Sequence, residues 1–286
     1  MQSERGFEYG VKHIISPQSG ELTDVLLSTL DIDPAQTDFL LDLGCIYLKQ
    51  KRLREKIWIN EGDYLRVHTK PRRFPPNNYN WLERVIFENK NFVILNKPSA
   101  LPVHGSVDNL KENVQAYAED TLGLKLFVTH RLDVPTRGLI LYAKTKEFQS
   151  LFNALIADRK VTKIYRCRVE GVPQHHGLLT HYMETSPRAP KTVQREPAEG
   201  WQNCLLEILD VQLLGSDQAD LEILLHTGRT HQIRAQMGFE GHPIVGDHAY
   251  GAKKVFEEER IELQSSRLSF EDPQTGEMYD FKLDWP

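Results

Sequence analysis

The sequence predicts an α+β fold with a mixed, mostly antiparallel sheet and a small N-terminal module. Three observations predict it. Short segments with alternating apolar residues follow segments with one-face helical spacing, without the strict strand–helix–strand rhythm of a doubly wound sheet. "KPRRFPPNNYNW", residues 70–81, is rich in Pro and Asn and can continue neither a helix nor a central strand. It reads as a linker between a module of residues 1–75 and a larger domain of 76–286. A length of 286 residues accommodates one large domain with a small accessory one.

In the module, "LTDVLLSTL" has helical spacing, "FLLDLGCIYL" is a second apolar segment, and "DYLRVHT" alternates like a strand. After the linker, "VIFENKNFVILNKP" reads as strand, Asn-Lys-Asn turn and strand, followed by a Pro- and Gly-rich loop. Residues 107–122 are expected to be helical, from Leu110, Val114, Tyr117 and Leu122. "GLILYAK" is a strand. "TKEFQSLFNALIADRK" sets Phe148, Leu151, Phe152, Leu155 and Ile156 on one helical face, with Thr145 as N-cap. "KIYRCRVEG" alternates, with Tyr165, Cys167 and Val169 on one side and Arg166, Arg168 and Glu170 on the other. Strands follow at "WQNCLLEILDVQLL" and "DLEILLHT". "GRTHQIRAQMGFEGHP" is a Gly turn leading into a short helix that stops at Gly238 or Gly241.

Composition, at 40% apolar and 26% charged residues, is that of an ordinary soluble globular protein. No apolar run reaches the roughly 18 residues of a membrane span, and no signal peptide is visible at the N-terminus. Cys45, Cys167 and Cys204 form no paired-ligand pattern and suit a reducing compartment, so the expected location is the cytoplasm. The net charge of −5 argues mildly against a nucleic-acid binder. Its distribution argues otherwise: residues 46–75 hold nine Lys/Arg against three Asp/Glu, and 253–286 hold nine Asp/Glu against five Lys/Arg. A basic stripe on an acidic body can bind a phosphate backbone, because screening limits distant charges to roughly 8–10 Å. A solvated charged surface has the same composition.

Candidate chemistry begins at "THRLDVPTRGLILYAKT", 129–145. In extended geometry Arg131 and Asp133 share a face, and a guanidinium beside a carboxylate keeps it ionised. Such an aspartate is a nucleophile, a general base or a plain ion-pair partner. Tyr165 is either a core tyrosine or a stacking surface for a flat ligand, with Lys163 on the same strand face. In "LLHTGRTHQIRAQ" the Gly–Arg–Thr turn before a helix would aim backbone N–H groups and Arg229 at one point, a site for an anion. His226, His231, His242 and His248, spaced by 5, 11 and 6, match no metal-ligand pattern, so no metal is expected and capping or hydrogen-bonding roles are. Arg234, early in that helix beside Ile233, needs a carboxylate if it is buried, and Asp133 is the candidate.

In this order the segments resemble the RluA-type pseudouridine synthases over about residues 85–251. The resemblance rests on "VILNKPSALPVHGS", "HRLDVPTRGLILYAKT", "KIYRCRVEG" and "TGRTHQIRAQMGFEGHPIVGDHAYG". It implies a bent sheet flanked by helices, and an enzyme that isomerises uridines of structured RNA, rRNA or tRNA, to pseudouridine. It further implies that Asp133 is the catalytic aspartate, that Tyr165 stacks on the target uracil and that Arg234 pairs with Asp133. Arg131 would fill the space left by the flipped nucleotide, and Ile233 would pack beneath Tyr165. His130, Lys163, Arg229 and Thr230 complete the expected substrate contacts. Arg137 stands where the family usually has Ser. The module resembles the S4 RNA-binding module only in "INEGDYLRVH".

Breaking N1–C1′ and rejoining the uracil through C5 involves no redox change, so no cofactor is expected, and the partner is RNA rather than a membrane. The chain is expected to act as a monomer. The reaction asks for an ionised carboxylate in a water-poor pocket, and for contacts that offset the few kcal/mol of unstacking the base. Two other readings compete. A hydrolase with an Asp nucleophile, in which His130 or His231 activates water, would want a nucleophile-elbow context that this chain lacks. A silent RNA-binding protein would be indifferent to Asp133→Asn.

Overall fold

The computed structural model describes residues 10–285 except 175, 188, 255, 257 and 258. These fall into two units: Met1–Asn78 with His104–Tyr117, and Tyr79–Val103 with Ala118–Pro286.

The first unit runs β1 (Val11–Ile15), β2 (Gly20–Glu21), α1 (Leu22–Leu30), α2 (Pro34–Leu43), β3 (Ile46–Leu48), β4 (Lys51–Arg52), β5 (Trp58–Ile59) and β6 (Tyr64–His68). Four strands form a sheet in the order β1-β6-β3-β4, and β2 pairs with β5. Helix α2 starts on a capping box, in which Asp33 accepts from Gln36 N–H, and Pro34 occupies the first turn. It ends at Gly44, whose φ of 75° favours glycine and whose added Cβ would lie 2.7 Å from Arg52 Nη1. Leu22, Leu26, Leu40, Ile46, Leu65 and Val67 are among the buried core of this unit.

Residues 104–117 belong to this unit although they follow the linker. Tyr47 Oη donates to Val107 O at 2.8 Å, Leu110 N–H to Leu43 O at 2.9 Å, and Arg72 and Arg73 grip Asp108 and Glu112. The helix expected over 107–122 is therefore only α3 (Val114–Leu122). The polar groups of 107–113 are engaged elsewhere, and Asn113 Oδ1 accepts from Ala116 N–H to start the helix.

The nine cations of the basic stripe are mostly engaged. Lys49 pairs with Asp63 and Lys56 with Asp38, both at 2.7 Å, in addition to Arg72 and Arg73. The Arg52 and Arg66 guanidinium groups lie 5.0 and 4.1 Å from the Tyr47 ring centre. Lys51, Arg54 and Lys70 are exposed and have no partner among the described residues.

The second unit adds β7 (Val85–Glu88), β8 (Phe92–Lys97), β9 (Phe127–Val128), β10 (Arg137–Ala143), α4 (Lys146–Ala157), β11 (Thr162–Glu170), β12 (Gly177–Met183), β13 (Val193–Gln194), β14 (Gln202–Leu213), β15 (Gln218–Leu225), α5 (Gln232–Phe239), β16 (Leu263–Glu271) and β17 (Met278–Lys282). They build one sheet of order β13-β12-β14-β15-β11-β16-β10-β8-β7, with β17 on β16 and β9 on β10. The β10–β16 pair is parallel and the other pairs are antiparallel, so the fold is α+β with a mixed, mostly antiparallel sheet. Register shifts at Ile164/Tyr165 and Ile208/Asp210 bend it. The parallel pair forms where the backbones approach closely: Gly138 has φ 111°, and a Cβ there would sit 2.3 Å from Ser265 O. Thr145 caps α4 through Phe148 N–H, and the apolar face of α4 buries Phe148 and Phe152 against Phe92 and Phe270.

Candidate active site

The site is built on three pieces of the second unit: the 129–136 loop into β10, the face of β11 carrying Tyr165, and α5 with the turn that follows it. The loop is held from below. Thr129 Oγ1 donates to Leu141 O at 2.6 Å, and His130 Nε2 accepts from Leu141 N–H at 3.1 Å, which zips the loop entry onto β10. Burial, with the nearby Lys163 charge, pushes His130 down to about 3, so it is a neutral acceptor. Its Nε2 is used by the strand, so His130 supports the loop through that atom. Past the Val134–Pro135 turn, Lys97 supplies the other support. Its fully buried Nζ donates to Pro98 O (2.9 Å), Val134 O (3.1 Å) and Thr136 O (2.8 Å), one acceptor for each N–H of an ammonium. Burial pushes Lys97 down to about 7, against the opposing charges of Asp133 and Glu259.

Helix α5 is anchored by a buried chain of side chains. The Gln232 amide oxygen accepts from Thr227 Oγ1 (2.8 Å) and Arg229 N–H (3.0 Å), and its NH2 donates to Leu205 O and Gln236 Oε1. Gln236 in turn donates to His181 Nδ1 at 2.9 Å, and His181 Nε2 donates to Glu240 at 2.8 Å. The Gly–Arg–Thr turn therefore differs from the expected anion cradle: the Arg229 amide is taken by Gln232.

So anchored, α5 presents a buried Arg234 whose Nε and Nη2 donate to Asp247 at 2.7 and 2.9 Å, while Nη1 faces Asp133 Oδ2 at 3.4 Å. Burial opposes the Arg234 charge, but the hydrogen bonds and charge of Asp247, with Asp133 adding, hold it above the usual arginine range. The guanidinium also lies 5.1 Å from the Tyr250 ring centre. Asp133 keeps 14% side-chain exposure, against 1% for Asp247. That contrast separates their roles: Asp247 is a buried counter-charge, and Asp133 is open to a ligand.

Tyr165 is buried on β11 opposite Ser265. Burial, then the Asp133 charge, pushes its phenol up, with a Ser265 hydrogen bond opposing. Asp133, Tyr165 and Arg234 are thus brought together as the sequence suggested. The Arg131–Asp133 ion pair is absent: Arg131 is exposed and unpartnered among the described residues. Lys163, pushed down by burial, sits at the Gly228 turn, where an added Cβ would lie 3.5 Å from its Nζ. Arg229 is exposed, Thr230 half-buried and Ile233 buried. Arg137 turns to Glu262 (3.1 Å) and to the Trp285 ring (4.9 Å), which gives the departure at this position a structural partner.

Sequence reasoning missed Lys97, Asp247 and Tyr250. All three lay inside quoted strings, "NKP" and "GDHAYG", but a support role leaves no local pattern of its own. Among the described residues, no three His, Cys, Asp or Glu side chains converge to hold a metal, and no helix is long and apolar enough to cross a membrane.

A family model described as RNA pseudouridylate synthase matches residues 91–238. A protein of Oryza sativa subsp. japonica named RNA pseudouridine synthase 6, chloroplastic, is 39% identical over 215 residues, 67% of this chain and 45% of the rice protein. The dual-specificity RNA pseudouridine synthase RluA of Vibrio vulnificus is 31% identical over 201 residues, 68% of this chain and 80% of that one. The solved structure of human RNA Pseudouridylate Synthase Domain Containing 1 shares the fold, with a TM-score of 0.58 at 24% identity over 74% of this chain and 86% of the human one. The chain spans less than half the length of the plant relatives it matches.

Proposed function

We propose, from the premise that this chain belongs to the RNA pseudouridylate synthase family and is of RluA type, that it isomerises uridines of structured RNA, rRNA or tRNA, to pseudouridine. The observation that carries the reading is the arrangement around Arg234. A guanidinium neutralised by a buried Asp247 extends its third edge to a partly open Asp133, beside a buried Tyr165. Asp133 serves as nucleophile or base at the ribose of a flipped uridine. Arg234 holds it without fully quenching it, because two of the guanidinium's donors are committed to Asp247. The glycosidic N1–C1′ bond breaks, the uracil turns against Tyr165, C5 bonds to C1′, and the C5 proton is lost as N1 gains one.

Arg131, exposed and unpaired, fills the stack left by the flipped base, and Ile233 packs beneath Tyr165. Lys163, Arg229 and Thr230 contact the RNA around the target. Among the described residues of the first unit, Lys51, Arg54 and Lys70 are cations free for phosphate, and this unit acts as a degenerate S4-like module. The chain acts as a monomer. Three buried free thiols suit a reducing compartment, either cytoplasm or a plastid of the kind named for the rice relative.

Carbodiimide mapping of rRNA and tRNA from a deletion strain, complemented with wild type or Asp133→Asn, tests the reading. One or more pseudouridines should vanish and return only with wild type. No difference in either RNA class would refute it.

A further inference from the structure

Asp133 has two oxygens, and Arg234 faces only one of them. The other, Oδ1, lies 3.9 Å from Nε2 of His231. His231 occupies an unusual position for this. It is the N-cap of α5 with φ 60° and ψ 21°, and it makes no side-chain capping bond. A left-handed non-Gly residue costs about 1 kcal/mol or more, so the surroundings must hold it there. They hold it through the ring: Nδ1 lies 3.0 Å from Tyr250 Oη, with the two rings edge-on at 79°.

Tyr250 sets the chemistry of that contact. Its oxygen accepts from the Lys191 backbone N–H at 2.7 Å. With one lone pair taken by that amide, the phenol proton is free to point to His231 Nδ1, which makes Nδ1 the acceptor in this arrangement. A neutral imidazole that accepts at Nδ1 carries its proton on Nε2, the atom facing Asp133. The charges facing the ring from neighbouring segments are Asp133, Asp247, Arg234 and Lys191. Burial is the largest influence on His231 and lowers its proton affinity despite the two carboxylates, which keeps it neutral.

We infer that His231 is a positioning residue for Asp133: Tyr250 and the Lys191 amide fix it as the Nε2–H tautomer, which donates to Oδ1 opposite the Arg234 contact on Oδ2. This rests on the reading of Asp133 as the reacting group. A neutral donor orients the carboxylate without adding a second cation that would weaken it as nucleophile or base. At 3.9 Å the contact is open in the free protein and closes when substrate enters, as hydrogen bonds at unliganded sites commonly do.

The tautomer is read directly by 15N NMR of histidine-labelled wild-type protein, with His231→Gln identifying the signal. Nε2 should be protonated and Nδ1 bare, and the reverse would overturn the inference even if the protein made no pseudouridine. In single-turnover assays, His231→Leu should slow the chemical step about 10-fold or more, near 1.4 kcal/mol, with KM within about 2-fold. His231→Gln keeps an N–H at the Nε2 position and should restore most of the rate. Tyr250→Phe should slow the wild type but not the His231→Gln background, because an amide needs no tautomer lock. Equal slowing in both backgrounds, or a His231→Leu enzyme as fast as wild type, would overturn the assignment.

Discussion

Asp247→Ala is the perturbation that most directly probes how the site is held together. Asp247 and Arg234 are 1% and 6% exposed and share two hydrogen bonds of 2.7 and 2.9 Å. Removing the carboxylate leaves a buried guanidinium with Asp133 at 3.4 Å as its remaining carboxylate. One-sided loss of a buried ion pair costs ~3–5 kcal/mol, far more than the pair is worth against an apolar replacement. At ~2–4 °C per kcal/mol for a unit of this size, the melting transition of the second unit should fall by ~6–20 °C. The freed guanidinium should also swing onto Asp133 and shorten the contact to ~2.8 Å. Activity should then drop at least ~10-fold in the fraction that remains folded. Asp247→Asn keeps the shape and one acceptor, and should lose ~1–3 kcal/mol. Thermal and urea unfolding of the full chain, followed by circular dichroism, measures both. Arg234→Met combined with Asp247→Leu should regain much of the stability and none of the activity. An Asp247→Ala protein within ~1 kcal/mol of wild type would refute the argument.

Three further outcomes follow from supports around the site. Lys97→Met strands the carbonyls of Pro98, Val134 and Thr136; at ~1–3 kcal/mol per unsatisfied group it should destabilise by ~3 kcal/mol or more in urea titrations, and faster hydrogen exchange should appear at 129–137. His130, held at about 3 against an ordinary ~6.5, takes its proton only in the unfolded chain between those values. Its contribution is full above ~6.5 and falls as pH drops toward 3, by up to ~1.4 kcal/mol per unit, so urea midpoints of His130→Gln should decline less steeply from pH 7 to 5 than those of wild type. Lys51→Glu with Arg54→Glu should weaken RNA binding and lower the salt slope by roughly two to four phosphate contacts while leaving the melting temperature within ~2 °C, since neither side chain has a partner among the described residues.

The parts of the fold legible in the sequence were those with a strong local period. Helix α1 spans the predicted "LTDVLLSTL", Thr145 caps α4 as its spacing required, and β11 buries Tyr165, Cys167 and Val169 on one face. Residues 107–113 misled because their apolar spacing is helical while Asp108, Asn109 and Glu112 are claimed by Arg72, Arg73 and backbone groups. At the site, the Arg234–Asp133 approach was foreseeable from the cost of burying a guanidinium. The stronger bond to Asp247 was not, since an aspartate 13 residues downstream in a Gly-rich turn looks like any turn residue. The basic stripe was visible as a count, but counting could not reveal that four of its cations sit in ion pairs within the same unit.

The assignment of residues 104–117 to the first unit also orders events during synthesis. Strands β7 and β8, which belong to the second unit, leave the ribosome before the segment that carries Asp108 and Glu112. Until Tyr117 has emerged, Arg72 and Arg73 lack their carboxylates and the Tyr47 hydroxyl lacks its acceptor. The N-terminal unit therefore completes its contacts only after part of the second unit's chain has already been made. A fusion or truncation boundary drawn at the 70–81 linker would cut through a unit rather than between two.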